Sequence, residues 1–387
     1  MYNFSEDKLK SIGATITTAE IKQQPDLWKE AYTSYLDKKE SIRNYLSEIG
    51  KKHERIRVIF TGAGTSAYVG DTILAHIKEK NDESKWDFLS IPTTTLVSNP
   101  YQFLKQDIPT ILVSFARSGN SPESVASVEL AKKIVSDFYQ ITITCAPDGK
   151  LAKSVVGDDK NLLLLMPEKS NDQGFAMTGS YSCMTLTALL AFDHLTDEEE
   201  KHLVNMISDM GESVIEREEE IQRVIDLQFD RIIYLGSGSL EGLSREAQLK
   251  VLELTAGKTA TNSDSSLGFR HGPKSFVNEN TLAFVFVSNN NYTRKYDIDM
   301  LNELKQDGTA RHICAISVEG EENYSGDAFT FDQKAEDVPD AYLALPYVMF
   351  AQTVSLLSSV KVGNTPDTPS PTGTVNRVVK GVTIYPY

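Results

Sequence analysis

Where the apolar run TILVSFA (110–116) stops, the chain continues as SFARSGNSPES (114–124). Four serines, an arginine, a glycine and a proline crowd into those eleven positions. Hydroxyls and amides of Ser118, Gly119, Asn120 and Ser121 can surround an oxyanion such as a phosphoryl group. The Arg117 guanidinium can add a bidentate, charge-assisted pair. Pro122 stands where a helix begins. The plainer alternative is that the serines only cap that helix, but one cap does not require four.

A second turn of this type follows the run IRVIFTG (56–62), in GAGTSA (62–67). Glycines there let the backbone approach an anion, and a helix start supplies unpaired N–H groups with partial positive charge. Gly64, Thr65 and Ser66 are the candidates. The same G-x-G-x-x-A spacing occurs in dinucleotide sites, which want a carboxylate at the end of the second strand to hold the ribose. That segment, WDFLSIPTTTLVS (86–98), ends in Thr and Ser, so a dinucleotide is disfavoured. A tight turn without a ligand remains the alternative.

These turns need a scaffold. Apolar runs at 56–62, 110–116, 141–145 and 161–166 predict buried strands, with helices over 65–79 and 121–135 between the first three. The second half repeats the scheme: strand and turn at 231–239, helix at 240–257, strand at 281–289, helix at 293–305, strand at 312–318. VIFTGAGTSAYVG (58–70) and IIYLGSGSLEGLS (232–244) share one pattern, their first glycines 174 residues apart, which points to an internal duplication. The expected fold class is α/β, with two tandem doubly wound, flavodoxin-like parallel-sheet domains.

The expected division is a helical arm over 1–45, domains over 46–215 and 216–360, and a tail over 361–387. TTAEIKQQPDLW (17–28) is expected to open one helix of the arm. Helices over 184–195 and 196–227 are expected to join the domains, their glutamates forming a solvated face. The tail ends in VVKGVTIYPY, too apolar for simple disorder, and is expected to dock on the body.

Composition narrows the functions. A net charge of −15 argues against nucleic acid as a partner. Residues 1–57 carry 11 Lys/Arg against 9 Asp/Glu, too balanced for a DNA-binding arm. Three separated cysteines fit a reducing compartment, with no disulfide framework. No cluster has metal-ligand spacing, so no metal and no cofactor are expected. The opening MYNFSEDKLK lacks an apolar core, and no stretch reads as long enough to span a bilayer. A soluble cytoplasmic protein is expected.

GTS after the first strand, S-G-N-S after the second, and LKVLEL (249–254) followed by SLGFRHGPKS (266–275) together resemble the sugar isomerase (SIS) family. Within it the chain is similar to the AgaS-type galactosamine-6-phosphate deaminase/isomerases, relatives of the isomerase half of glucosamine-6-phosphate synthase. VNRVVKGVTIYP (375–386) matches the AgaS branch, and the likeness covers nearly the whole chain. The synthase's glutaminase domain has no counterpart in this sequence, and Met1-Tyr2 offers no cysteine nucleophile, so glutamine-dependent amide transfer is not expected.

The resemblance implies that Ser66, Ser118 and Ser121 bind phosphate. Arg117 stands where the synthase has glutamine. Glu253 matches the carboxylate that moves a proton between C1 and C2. His271 matches the ring-opening histidine, which the family borrows from a neighbouring subunit. Lys380 matches the C-terminal lysine at the anomeric position. A glutamate near C1 and C2 and a histidine near the ring oxygen are the right acid–base types for an aldose–ketose shift. With a 2-amino sugar that shift gives a ketimine, which water hydrolyses to a ketose phosphate and ammonia.

The implied function is conversion of galactosamine 6-phosphate to tagatose 6-phosphate by a homodimer or larger homo-oligomer. Plain tagatose-6-phosphate isomerisation and sugar-phosphate sensing are the alternatives. Read by itself, Glu253 shares its helix with Glu241 and Glu246, expected to be exposed, and Lys380 is an isolated tail charge.

Overall fold

The structure is a computed structural model describing residues 1–155, 157–379 and 381–387. It contains two compact units. The first comprises Asp26–Asp172, Met177–Glu200 and Val375–Tyr387; the second comprises Met1–Pro25, Gln173–Ala176 and Lys201–Thr374.

In the first unit β1 (Ile56–Thr61), β2 (Trp86–Ser90), β3 (Thr110–Ala116), β4 (Phe138–Thr144) and β5 (Asn161–Leu165) form a parallel sheet in the order β2-β1-β3-β4-β5. β3 and β4 are buried along their whole length, as expected of apolar strands covered on both faces. On one face Ile59 and Leu112 pack with Val128 and Ala131 of the helix Pro122–Ile134. On the other, Phe60 lies against Phe88, Phe115 and Phe192. Phe192 ends the helix Gly179–Phe192, all of whose residues are buried and which packs on the helix Thr65–Lys80. Read from sequence as a connector, this helix is instead core, because it is apolar on every side.

In the second unit β6 (Arg231–Gly236), β7 (Ala260–Ser265), β8 (Thr281–Phe286), β9 (His312–Val318) and β10 (Ala328–Phe331) run in the order β10-β9-β8-β6-β7, again all parallel. Numbered within each sheet, both orders are 2-1-3-4-5. The duplication reaches single atoms. A Cβ on Gly62 would sit 2.5 Å from the backbone of Ser66, and one on Gly236 would sit 2.5 Å from the backbone of Leu240. Gly64 and Gly238 adopt φ of +56° and +58°. Both turns demand glycine for the same two reasons.

Several expectations change. WDFLSIPTTTLVS is a strand only to Ser90, and a short helix, Thr93–Ser98, follows Pro92. TTAEIKQQPDLW is split between the helices Thr15–Lys22 and Gln24–Leu36. The arm is shared, with residues up to Pro25 in the second unit and the rest in the first. The helix Asp197–Glu216 passes from one unit to the other.

The helix Asp340–Lys361 was not foreseen, and it is long and apolar enough to cross a membrane by length and composition. It is buried from Ala341 to Ser359 and packs against the helices Ser239–Leu254, Glu218–Ile225 and Thr15–Lys22 of its own unit. Its apolarity is that of a core helix.

Candidate active site

β1 and β3 are neighbours, with Thr61 opposite Ser114 in the ladder. The turns that leave them, 62–66 and 117–121, therefore emerge side by side at the carboxyl edge of the first sheet. This is the point where the strand order reverses, the usual ligand crevice of an open parallel sheet. Each turn opens a helix, Thr65–Lys80 and Pro122–Ile134, so two helix N-termini, the positive ends of their dipoles, face the crevice.

Ser66 is buried, and among the described residues its hydroxyl donates to a thioether, Met177 Sδ at 3.8 Å. A phosphate oxygen is a far better acceptor. Ser121 occupies the N-cap position of Pro122–Ile134, yet its side chain makes no capping bond. The helix-cap alternative thus leaves this hydroxyl unexplained. The Ser118 hydroxyl accepts the Asn120 N–H at 3.3 Å, and Asn120 Oδ1 accepts the Lys150 N–H at 3.1 Å. The Gly119 carbonyl accepts the Leu151 N–H at 3.1 Å. Bonds to the next loop hold the S-G-N turn in shape before any ligand enters.

Arg117 is buried and donates from Nη2 to the carbonyl of Arg377 at 2.7 Å. Arg377 donates from Nε to the Asp172 carbonyl at 2.9 Å. Asp172, fully buried, accepts from the N–H groups of Thr178, Gly179 and Ser180 at the start of Gly179–Phe192. A guanidinium is a planar fork of five donors, the geometry that pairs with a phosphate. Tail docking is partial: Arg377 is tied down and Lys133 lies over the Tyr387 ring, whereas Tyr385 is 81% exposed.

The acid–base candidates lie in the second unit. Glu253 sits in the last turn of Ser239–Leu254, its carboxylate 2.5 Å from Lys250 Nζ. Lys250 is only 1% exposed and also lies 3.5 Å from Glu246, which is completely buried. The expectation that Glu246 is solvated is therefore wrong. Glu246, Lys250 and Glu253 fall on one helical face at i, i+4 and i+7; packing of the helix against Asp340–Lys361 and the sheet takes Glu246 and Lys250 out of water, while Glu253 at its end stays 23% exposed. Lys250 escaped the sequence reading; the only trace was the spacing E-x-x-x-K-x-x-E. A buried ammonium fixes the rotamer of Glu253 and points its carboxylate in one direction.

His271 ends a short turn, Gly268–His271, beyond β7, and is exposed. Its cationic neighbours are engaged elsewhere: Arg270 pairs with Glu303 and Asp299 at 2.5 and 2.7 Å, and Lys274 with Glu303 and Asp307 at 2.5 and 2.8 Å. Within one chain the structure does not bring His271 to Glu253. His271 follows the carboxyl edge of the sheet, where Ser239 also begins its helix. Glu253 lies about 21 Å further along that helix, toward the opposite edge. Lys380 lies outside the described residues.

One prediction follows for the crevice. Arg117→Ala is expected to raise KM for the phosphosugar about ten- to a hundredfold, the worth of one charged hydrogen-bond partner. The change should fall mainly on KM, and steady-state kinetics with an unchanged KM would remove the pocket from this loop.

No family model matches the chain. It is 41% identical over 382 residues to the D-galactosamine-6-phosphate deaminase AgaS of Escherichia coli, across 96% of either protein. A solved Clostridium novyi NT protein, provisionally described as a tagatose-6-phosphate ketose/aldose isomerase, is 43% identical, covers 100% of this chain and 99% of its own, and superposes with a TM-score of 0.95. The tagatose-6-phosphate ketose/aldose isomerase of Escherichia coli is 39% identical, with a TM-score of 0.87 and coverage of 96% and 97%. Likeness of this strength over nearly full length, on two copies of one parallel-sheet topology, places the chain: it belongs to the AgaS family of SIS proteins.

Proposed function

We propose that this chain converts galactosamine 6-phosphate and water to tagatose 6-phosphate and ammonia. The observation that carries the reading is the near full-length identity to a D-galactosamine-6-phosphate deaminase. The two hydroxyl-bearing turns that meet at Thr61 and Ser114 supply a place for the phosphate.

In this reading Gly64, Thr65, Ser66 and Arg117–Ser121 hold the phosphate. His271 helps open the pyranose, with Lys380 at the anomeric position. Glu253 takes the proton from C2 of the open aldehyde, leaving an enaminol. It returns the proton to C1, so that C2 becomes a ketimine. Water adds at C2, the C–N bond breaks, and ammonia leaves with the ketose phosphate as the other product. The net reaction is hydrolysis of a C–N bond.

Glu253 and His271 stand toward opposite edges of one unit, and this supports a homo-oligomer in which the partner's His271 serves the Glu253 of this chain. A cytoplasmic role in amino-sugar breakdown, without nucleic acid or membrane, accompanies this reading.

A second reading has its own support, because two solved relatives carry the isomerase description. Product analysis separates the two. A coupled ammonia assay across the 6-phosphates of galactosamine, glucosamine and their N-acetyl forms is expected to give one ammonia per tagatose 6-phosphate from galactosamine 6-phosphate. Interconversion of tagatose 6-phosphate with its aldose, with no ammonia from any amino sugar, would replace deamination by isomerisation.

A further inference from the structure

The duplicated sheet has a switch point of its own between β6 and β8, and the chain has closed it. Equivalence follows from the shared registers. Thr61 faces Ser114 in the first sheet, and Leu235 faces Val285 in the second. Ala63 therefore corresponds to Ser237, Ser66 to Leu240, and Arg117 to Ser288. The residues that grip an anion in the first reading are gone: an apolar, fully buried side chain replaces the Ser66 hydroxyl, and a serine replaces the guanidinium.

What fills the space is an aspartate. Asp297, on the helix Asn291–Asp307, is completely buried. Its Oδ1 accepts the hydroxyls of Ser237 and Ser266, each at 2.6 Å, and its Oδ2 accepts the Ser288 N–H at 3.0 Å. The three donors follow three different strands, β6, β7 and β8, and converge on one carboxylate. Beside it, Asp340 accepts the Ser288 hydroxyl at 2.5 Å and the Asn289 N–H at 2.8 Å.

We propose that the carboxyl edge of the second sheet is a second oxyanion site, equivalent in position to the phosphate crevice of the first, and that the chain occupies it with its own Asp297 carboxylate. An external phosphate would find these donors already taken and would meet the carboxylates of Asp297 and Asp340. In exchange, one anion ties together the turns after three strands. Ser266 begins the stretch that leads to His271, so the same carboxylate anchors the turn carrying the proposed ring-opening group. Burial pushes the Asp297 carboxyl up to about 6 against the pull of its three hydrogen bonds, and Asp340 adds to the rise, so it is still ionised at neutral pH.

The test is anion rescue, read by thermal melting of the full chain at neutral pH. Asp297→Gly and Asp297→Asn are both expected to melt well below the wild type, since neither presents an anion to the three donors. Sodium formate should restore most of the loss in Asp297→Gly, where a cavity of carboxylate shape is left. It should do no more than sodium chloride of equal ionic strength for Asp297→Asn, whose amide still fills the space, or for the wild type. Formate no better than chloride on Asp297→Gly would overturn the proposal. If that variant does not fold, Asp297→Asn decides: melting with the wild type would show that no anion is needed. Failure of Arg117→Ala to raise KM would withdraw the first crevice and leave this test standing.

Discussion

Glu253→Gln is expected to lower turnover by about 10²–10⁴, the usual worth of a positioned general base, while leaving phosphosugar affinity nearly unchanged. Gln keeps the shape and the reach of the side chain and removes its basicity. The phosphate turns belong to the other unit and are untouched by the change. In deuterated water the wild type should place solvent deuterium at C1 of the keto product, at least in part. The variant should bind the sugar phosphate by calorimetry and show neither exchange nor ammonia above background. Lys250 sharpens the expectation: with Gln at position 253 this buried ammonium keeps Glu246 at 3.5 Å, so the helix face is not left with an unbalanced cation. Exchange and turnover at near wild-type rate in Glu253→Gln would assign the base elsewhere.

Mixing two inactive proteins is expected to restore activity. His271→Ala lacks the exposed acid–base group and Glu253→Gln lacks the base, and in one chain these lie toward opposite edges of the second unit. If the site is completed across a two-fold interface, each mixed dimer contains one site with both groups intact. Random equimolar exchange then gives about a quarter of the wild-type rate, since half the dimers are mixed and each has one working site of two. The measurement is ammonia release after subunit exchange, with mixed dimers confirmed by native mass spectrometry. Mixed dimers that form and stay inactive would count against a shared site.

The turns at 62–66 and 117–121 were legible from the sequence because their signal is local. Glycine, serine and arginine fall within a few positions of an apolar strand end, and the strand spacing brings the turns together. β1, β3, β6 and β8 announced themselves as unbroken apolar runs. β7, written ATNSDS, is a polar strand at the sheet's edge, exposed to partly buried throughout, and nothing in its composition asks for a strand. β10 has only four residues. Lys250 and Glu246 could not be read because their burial depends on Asp340–Lys361, some ninety residues further on. On a helix taken alone, Glu and Lys four apart read as a solvated pair. The Arg117 bond to the Arg377 carbonyl is likewise non-local, at a separation of 260 residues.

The helix Asp340–Lys361 also dictates an order of events during synthesis. It is the last long helix of the chain, yet it lies in the middle of the second unit, against a helix that begins a hundred residues earlier at Ser239. Until it has left the ribosome, the inner face of Ser239–Leu254 has no cover, and a nascent chain already carrying β6 to β10 must hold apolar surface in water. A growing polypeptide in that state attracts chaperones and other copies of itself. The helix is itself apolar enough to be mistaken for a membrane anchor if its docking is delayed. The first unit has its own such helix, Gly179–Phe192, already in place by then, so the two halves of the duplication differ in when they become safe. Nascent chains arrested before Asp340 should be cut freely by protease in the second unit and resist cutting in the first.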